Sequence, residues 1–134
     1  MKQVERVLRK KRGDGKAVLI VDDNPGVRLA VSQAFLLDGF SVCGEATNGR
    51  EAIELTKQLI PDLIILDLSM PVMNGLQAAP ELRKIAPTTP IILLTFYGSE
   101  VVAGQASKIG ADLVLSKTEA LFSVVNKAHS LVGD

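Results

Sequence analysis

Five short apolar runs, each followed by polar residues and a longer amphipathic stretch, set the pattern of this sequence. The runs at residues 17–21, 63–66 and 91–94 are apolar at every position, with no alternation between apolar and polar residues. Such runs are typical of strands that are buried on both faces of a parallel sheet. The pattern predicts five strands, at residues 17–21, 40–46, 63–67, 90–95 and 112–117.

Helical periodicity fills the intervals between the first three strands. Asn24 and Pro25 supply a cap and a first-turn proline for a helix that Gly39 ends. Asn48 caps a second helix that reaches about Leu59. The stripe of the first helix that is predicted to face the core consists of Val27, Ala30, Val31, Ala34 and Phe35.

Three further helices are predicted in the second half of the chain. Residues 75–86 are helical in pattern but contain Pro80, which removes one backbone hydrogen bond, so we expect a kinked or late-starting helix. Residues 99–109 form a helix rich in small residues, which Gly110 closes. Thr118 caps the last helix, whose inward residues are Leu121, Val124, Val125, Ala128 and Leu131.

The alternation of strand and helix predicts the fold. Strand and helix alternate five times, and right-handed crossovers arrange such a chain as a five-stranded parallel sheet with helices on both faces. The length of 134 residues suits one such domain. We therefore predict a doubly wound α/β domain over residues 17–134, preceded by a separate extension at residues 1–16.

The net charge of zero conceals two regions of opposite charge. Residues 1–16 carry seven Lys/Arg and two acidic residues, whereas the other 118 carry eight Lys/Arg and thirteen Asp/Glu. Within the basic extension, Val4, Val7 and Leu8 have helical spacing before residues 13–15 break any helix. A solvated or loosely docked arm is favoured; a short docking helix, an expression remnant or a contact to nucleic acid or anionic lipid are the alternatives.

Membrane and secretory features are absent from the sequence pattern. The longest apolar runs have four or five residues, too few to span a bilayer, and no apolar segment typical of a signal peptide follows the basic start. The single cysteine, Cys43, excludes an internal disulfide and fits a small buried residue in a strand. We expect the protein to reside in the cytoplasm.

Polar residues stand at the carboxyl ends of four predicted strands. These residues are Asp22, Asp23, Asp67, Thr95 and Lys117. Carboxyl ends of parallel strands converge on one edge, where open α/β sheets bind their ligands. Three carboxylates in one crevice repel each other, and oxygen ligands without His or Cys favour a hard cation, Mg²⁺ before Ca²⁺.

The remaining polar groups suit an anion beside that cation. The Lys117 ammonium would neutralise a phosphoryl oxygen, the Thr95 hydroxyl would donate to another, and the Asp67 carboxylate is itself a potential nucleophile. Individually, such residues are more often caps or surface charges, and Lys117 would pair with Asp67 as a plain salt bridge. The complementary set at four different strand ends favours a functional site.

Four motifs resemble those of the receiver domains of two-component response regulators. They are Val21-Asp22-Asp23, Asp67-Leu68-Ser69-Met70-Pro71-Val72-Met73-Asn74-Gly75, Leu94-Thr95 and Leu115-Ser116-Lys117. The resemblance covers roughly residues 17–132 and implies the flavodoxin-like, CheY-like (βα)5 fold with strand order 2-1-3-4-5. The Leu-Ser-Lys-Thr-Glu segment at residues 115–119 resembles receivers of the class with helix-turn-helix output domains.

The resemblance also implies roles for the residues at the strand ends. Asp67 would accept a phosphoryl group from a sensor histidine kinase or a histidine phosphotransfer protein. Mg²⁺ would be bound by Asp23, Asp67 and the backbone carbonyl of Ser69, with Asp22 acting mainly through water. Lys117 would contact the phosphoryl group. Thr95 would be the switch residue that moves toward the phosphoryl group.

Several positions depart from the pattern of the family. Val114 occupies a place where many receivers carry an aromatic residue that rotates with the threonine, so the aromatic half of the switch is replaced. Phe96 stands where a small residue is common and would narrow access for small phosphodonors. Ser69 and Tyr97 occupy positions that tune hydrolysis of the acyl phosphate, which predicts slow or partner-dependent dephosphorylation. Thr118 stands where many receivers have proline.

Three classes of function follow from these observations. The first is a phosphorylation-controlled switch, a signalling domain that catalyses only its own phosphorylation and dephosphorylation. The second is a phosphorylation-independent interaction module, which Val114 and Phe96 favour mildly. The third is a free-standing hydrolase with an aspartyl-phosphate intermediate, which would need a further acid or base; His129, the one histidine, is predicted to be a surface residue far from the site.

The expected partners follow from the first of these classes. A downstream protein or a DNA-binding output domain outside this sequence would respond to phosphorylation. A homodimer would use the fourth predicted helix, the fifth strand and the last helix, by resemblance. Direct nucleic-acid binding by this segment is not expected, because it lacks a basic recognition helix, and no membrane partner is expected.

Overall fold

The structure, a computed structural model, describes residues 15–96 and 108–133. Strands and helices alternate along the first of these ranges, and the second adds one strand and one helix. The elements are β1 (Ala17–Val21), α1 (Pro25–Leu37), β2 (Ser41–Ala46), α2 (Gly49–Leu59), β3 (Leu63–Asp67), α3 (Gly75–Ile85), β4 (Ile91–Thr95), β5 (Leu113–Ser116) and α4 (Leu121–Val132).

The five strands form one parallel sheet in the order β2-β1-β3-β4-β5. This confirms the predicted flavodoxin-like fold and its strand order. The described residues contain four helices rather than the five of the (βα)5 prediction, because the helix expected at residues 99–109 falls mostly at residues 97–107, outside the described part. The bounds of the two domains predicted at residues 1–16 and 17–134 stay a prediction.

Two apolar cores cover the two faces of the sheet. Every residue of β1, β3 and β4 is buried, as their uninterrupted apolar runs predict. Because side chains alternate along a strand, neighbouring residues enter opposite cores. The core under α2 and α3 includes Leu19, Val21, Ile64, Leu66, Ile91 and Leu93. The core under α1 and α4 includes Val18, Ile20, Leu63, Ile65, Ile92 and Leu94.

Asparagine side chains start three of the four described helices. Asn24 accepts from the Val27 amide at 3.0 Å, and Asn48 accepts from the Glu51 amide at 2.9 Å, which confirms both predicted caps. Asn74 and Gln77 form a reciprocal capping box at the start of α3. Of the two expectations for Pro80, a late start was wrong, because the capping box satisfies the first turn and α3 begins directly at Gly75; a kink stays a prediction.

The predicted cap of the last helix and part of the predicted buried face of α1 were also wrong. The last helix begins at Leu121 after Ala120 with no side-chain cap, because the Thr118 hydroxyl instead pairs with Ser116 Oγ at 2.6 Å. In α1, Ala30 is exposed and Ser32 is buried. No described helix is long and apolar enough to cross a membrane.

Arg83 ties α3 to the segment that leads into β5. Its guanidinium donates to the Thr89 carbonyl at 2.8 Å and to the Gly110 carbonyl at 2.6 Å, and it pairs with Asp112 at 2.7 Å. The Asp112 carboxylate also accepts from the Ile91 amide at 2.8 Å. This planar donor set therefore fixes the amino ends of β4 and β5, at the edge of the sheet opposite the predicted site.

Candidate functional site

The carboxyl edge of the sheet brings the five predicted strand-end residues to one open pocket of about 200 Å³. Asp22 follows β1, Asp67 ends β3, Thr95 ends β4 and Lys117 follows β5. Asp22, Asp67 and Thr95 are buried, whereas Asp23 is exposed. The full lining comprises Asp22, Asp23, Asn24, Val27, Asp67, Ser69, Thr95, Phe96 and Lys117.

Lys117 joins two of the carboxylates. Its Nζ lies 2.7 Å from Asp22 Oδ2 and 2.9 Å from Asp67 Oδ1, and its side chain is only 9% exposed. The contact therefore involves both aspartates, rather than the single pair with Asp67 that a plain salt bridge requires. One buried ammonium is shared by two buried carboxylates, which leaves the pocket with an excess of negative charge.

Burial and the contacts within the site shift the pKa values of Asp67 and Lys117. Burial raises the pKa of Asp67 above its ordinary value, and the charge of Asp22 adds to the rise, although hydrogen bonding to Lys117 opposes it. Burial alone would lower the pKa of Lys117, but its hydrogen bonds to Asp22 and Asp67 outweigh burial and raise it. Lys117 therefore remains a cation at neutral pH, and Asp67 is the group whose ionisation costs free energy.

The three carboxylates form an arrangement that suits a cation. Asp22, Asp23 and Asp67 each offer one oxygen, and these oxygens lie within 4.8 Å of one another. Ligands of one Mg²⁺ at about 2.1 Å from the ion lie at most about 4.2 Å apart, so a small rotation of a carboxylate suffices. Both carboxylate oxygens of Asp22 already accept hydrogen bonds: Oδ1 accepts from the Asn24 amide at 2.9 Å, and Oδ2 accepts from Lys117.

Backbone contacts hold the loop that follows β3 against the site. The Ser69 amide donates to Asp67 Oδ1 at 3.3 Å, and the Gly75 amide donates to the Leu68 carbonyl at 3.0 Å. A Cβ at Gly75 would lie 2.4 Å from the Asp67 carbonyl oxygen, so only glycine permits this approach. The start of α3 is thereby packed against the residue that carries the central carboxylate.

The same loop contains a strained turn at Val72. Its φ is +66°, and the Met73 amide donates to the Pro71 carbonyl at 2.6 Å, the pattern of a γ-turn with positive φ. A β-branched residue rarely adopts this conformation. The turn is held in place because the Met73 carbonyl accepts from the Gly49 amide at 2.8 Å.

Replacing Val72 by glycine is expected to stabilise the protein. A left-handed conformation costs an L-residue about 1–2 kcal/mol, which exceeds the extra backbone entropy that glycine loses on folding, about 0.5–1 kcal/mol. Urea denaturation of Val72→Gly should therefore show a gain of about 0.5–1 kcal/mol. Val72→Ala, which keeps a Cβ in the same turn, is the matched control and should gain less. Destabilisation by Val72→Gly would contradict the strain.

The remaining residues singled out from the sequence lie at the pocket, in the core, at the surface or outside the described residues. Phe96 is 56% exposed and lines the pocket, with its ring centroid 5.3 Å from Lys117 Nζ; its effect on small phosphodonors stays a prediction. Val114 is half-buried and packs against the core under α2 and α3. Tyr97 lies outside the described residues. His129, which was expected at the surface, is half-buried there: its ring packs on Phe40 and its side chain is 25% exposed.

Two contacts at the site were not expected from the sequence. The Asn24 amide binds Asp22, and the Arg28 guanidinium donates to the Asp22 carbonyl at 2.8 Å and pairs with Glu45 at 3.2 Å. The available signal was the position of Arg28 one turn into a helix that starts beside the acidic pair. These contacts orient the backbone that carries Asp22 and Asp23.

Comparison with known proteins identifies a family and relatives of this chain. The sequence model of the response regulator receiver domain matches residues 18–128. Chemotaxis protein CheY of Thermotoga maritima is 44% identical over 97 residues, which cover 72% of this chain and 81% of that protein. Nitrate/nitrite response regulator protein NarL of Escherichia coli is 41% identical over 101 residues, covering 75% of this chain and 47% of NarL. The chain thus spans about half the length of that relative.

Solved structures show the same architecture. Chemotaxis protein CheY4 of Vibrio cholerae has a TM-score of 0.81 at 29% identity, covering 87% of this chain and 98% of that one. The receiver domain of the Francisella response regulator 1452 has a TM-score of 0.82 at 26% identity, covering 89% and 98%. The likeness extends across nearly the whole of both solved chains.

Proposed function

The chain belongs to the response regulator receiver domains of two-component signalling, and we propose that Asp67 is its phosphoacceptor. The observation that carries the proposal is the position of Lys117 Nζ, 2.9 Å from Asp67 Oδ1 at an open pocket with two further carboxylates. A buried carboxylate and a buried ammonium beside it provide a nucleophile and a partner for a phosphoryl oxygen. The donor would be a phosphohistidine of a sensor kinase or phosphotransfer protein.

The proposed transfer uses the side chains as they stand. An oxygen of Asp67 attacks the phosphorus, an O–P bond forms, and the P–N bond to the donor imidazole breaks with its electron pair passing to nitrogen. Asp67 must be ionised to attack, so its raised pKa places the loss of activity at a higher pH than for an ordinary aspartate. Lys117 stays protonated through neutral pH and neutralises the transferred group.

Asp23, Asp67 and the Ser69 carbonyl would hold Mg²⁺, with Asp22 contacting the ion through water. Asp23 is the exposed carboxylate, whereas both oxygens of Asp22 already accept hydrogen bonds, which supports this division of roles. When bound, the ion would neutralise charge on the phosphoryl oxygens. The chain's own residues would fix the nucleophile and exclude water from the buried side of the pocket.

The switch would act through Thr95 and the loops beside it. Thr95 is buried at the end of β4, and its carbonyl accepts from the Lys117 amide at 2.8 Å, so movement of one strand end affects the other. The responding surface would include β5 and α4 and would bind a downstream protein, a second copy or an output domain. With Val114 in place of an aromatic residue, a phosphorylation-independent interaction module is the second candidate.

Intact-mass measurement after incubation with a phosphorylated histidine kinase and Mg²⁺ tests the proposal. We expect one added phosphoryl group, and slower or no addition from acetyl phosphate because Phe96 flanks the pocket. Absence of any addition from the kinase, together with no binding of beryllofluoride, would leave the interaction module.

Thermal unfolding tests the cation separately. Mg²⁺ should stabilise the protein by about 2.7 kcal/mol at 100 times its dissociation constant. Asp23→Asn should lose most of this stabilisation, whereas Glu54→Gln, which removes an exposed carboxylate on α2, should retain it. Equal stabilisation of both variants would argue against a cation at Asp23.

A further inference from the structure

An apolar groove lies between α1 and α4, away from the acidic pocket. It has a volume of about 250 Å³ and is lined by Ala34, Leu37, Asp38, Phe122, Val125 and Asn126. Leu37 is 89% exposed and Phe122 is 73% exposed, although both are large apolar side chains. A groove of this size is smaller than the roughly 300–1,000 Å³ of typical small-molecule sites, and it better suits a few side chains of a peptide.

We propose that the basic N-terminal segment of this chain, residues 1–14, docks its apolar residues in this groove. Val4, Val7 and Leu8 have the i, i+3, i+4 spacing by which an amphipathic segment places anchors in an apolar groove. Six Lys/Arg surround these anchors in the segment. The docked segment would cover Leu37 and Phe122.

The described part of the chain begins at the rim of the groove. The backbone of Gly15 lies so close to Gly39 that a Cβ at Gly15 would be 1.7 Å from the Gly39 carbonyl oxygen, and the Ser41 amide donates to the Lys16 carbonyl at 2.9 Å. Gly39 follows Asp38, which lines the groove. Leu8 stands seven positions before Gly15, and this length of extended chain can span about 24 Å, which is ample for Leu8 to enter the groove.

Charge and tethering favour this segment over a second copy of the chain. The segment is basic, residues 17–134 carry an excess of five acidic groups, and the half-exposed Asp38, whose Oδ2 lies 2.6 Å from His129 Nε2, stands at the groove. A second copy would instead bring a second acidic body to the same face. Because only a few residues tether the segment to β1, its effective concentration would be about millimolar, well above that of micromolar protein in solution.

The docked segment would leave the acidic pocket open. Asn24 and Val27 at the start of α1 line that pocket, whereas Leu37 and Asp38 at its other end line the groove. The segment would therefore control which partners reach the α1–α4 face without blocking access to Asp67. Binding of a partner to this face would require release of the segment.

Hydrogen–deuterium exchange of the full chain at micromolar concentration tests the docking. In the wild-type protein, amides of residues 1–12 should exchange at least tenfold more slowly than in Val7→Asp or Leu37→Asp. Leu29→Asp is the matched control, because Leu29 is 59% exposed on the same helix but outside the groove, and it should keep the protection. Raising the salt concentration should weaken the protection.

Other outcomes would overturn the proposal. These are full exchange of residues 1–12 at the earliest time in the wild-type protein, or equal protection in Leu37→Asp and Leu29→Asp. Protection that appears only with a dimeric mass in light scattering would assign the groove to a second copy. Protection that appears only with anionic vesicles or nucleic acid would assign the segment to those partners. Val7→Asp keeps the test valid if Leu37→Asp fails to fold, because it leaves every described residue of the sheet and of its two cores unchanged.

Discussion

Asp67→Asn is expected to abolish phosphoryl uptake and to make the protein more stable. The amide cannot act as the nucleophile, so intact mass should show no addition under conditions that modify the wild-type protein. Stability should rise because the amide removes a buried charge and its repulsion with Asp22, while Lys117 keeps Asp22 as a partner. A gain of about 1 kcal/mol, or roughly 4 °C in Tm, is the expected scale.

The gain should depend on pH in a defined direction. The pKa of Asp67 is raised in the folded protein above its ordinary value of 3.8, so the folded state binds this proton more tightly than the unfolded chain does. The contribution of Asp67 to stability is therefore present in acid and lost as pH rises through its folded pKa. The advantage of Asp67→Asn should be full at pH 7 and should shrink toward pH 3–4.

Glu54→Gln provides the control, because it removes one exposed carboxylate from α2 and should change Tm little at either pH. A fall in Tm for Asp67→Asn at pH 7 would show that the hydrogen bond between Asp67 and Lys117 outweighs the repulsion. Phosphoryl addition to Asp67→Asn would place the acceptor elsewhere.

Lys117→Met is expected to destabilise the protein by about 3–5 kcal/mol, since it leaves buried carboxylates without their cation. The side chain of Lys117 is 9% exposed, and Asp22 and Asp67 are each 4% exposed. Lys127→Met is the matched control: Lys127 pairs with Glu119 at a similar 2.9 Å, but its side chain is 47% exposed. Such exposed pairs contribute only about 0–1 kcal/mol.

A double-mutant cycle measured by urea denaturation separates repulsion from lost packing. Adding Asp67→Asn to Lys117→Met should recover much of the lost stability, because one of the two uncompensated charges is removed. Mg²⁺ should also stabilise Lys117→Met more than the wild-type protein, since it would replace the missing positive charge. Similar losses for Lys117→Met and Lys127→Met would contradict a buried, shared ammonium.

The sheet was predictable because its signal lies in contiguous sequence. Residues 17–21, 63–66 and 91–94 are apolar at every position, and such short runs, rich in β-branched residues and followed by polar ones, are typical of strands covered on both faces. The placement of Asp67 and Lys117 at one edge then follows from parallel topology alone. The contact of Lys117 with both Asp22 and Asp67 does not follow from the topology, because it depends on side-chain positions across three strands.

Local conformations that depend on tertiary contacts were harder to predict from the sequence. Nothing in Pro71-Val72-Met73 indicates a positive φ, since the turn is imposed by the Gly49 amide on the Met73 carbonyl. Thr118 looks like a cap, but its hydroxyl bonds Ser116 and the helix starts later. The half-burial of His129 was equally hidden, because it depends on contacts with Phe40 and Asp38, which are distant in sequence.

The shared ammonium also has a consequence for biosynthesis. Asp22 and Lys117 are separated by 95 positions along the chain. During translation, Asp22 and Asp67 emerge long before Lys117, so any early pairing of β1 with β3 brings two carboxylates together without their cation. The central strands would then gain full stability only once β5 has joined the sheet, and the nascent chain would remain open to chaperones until that strand arrives.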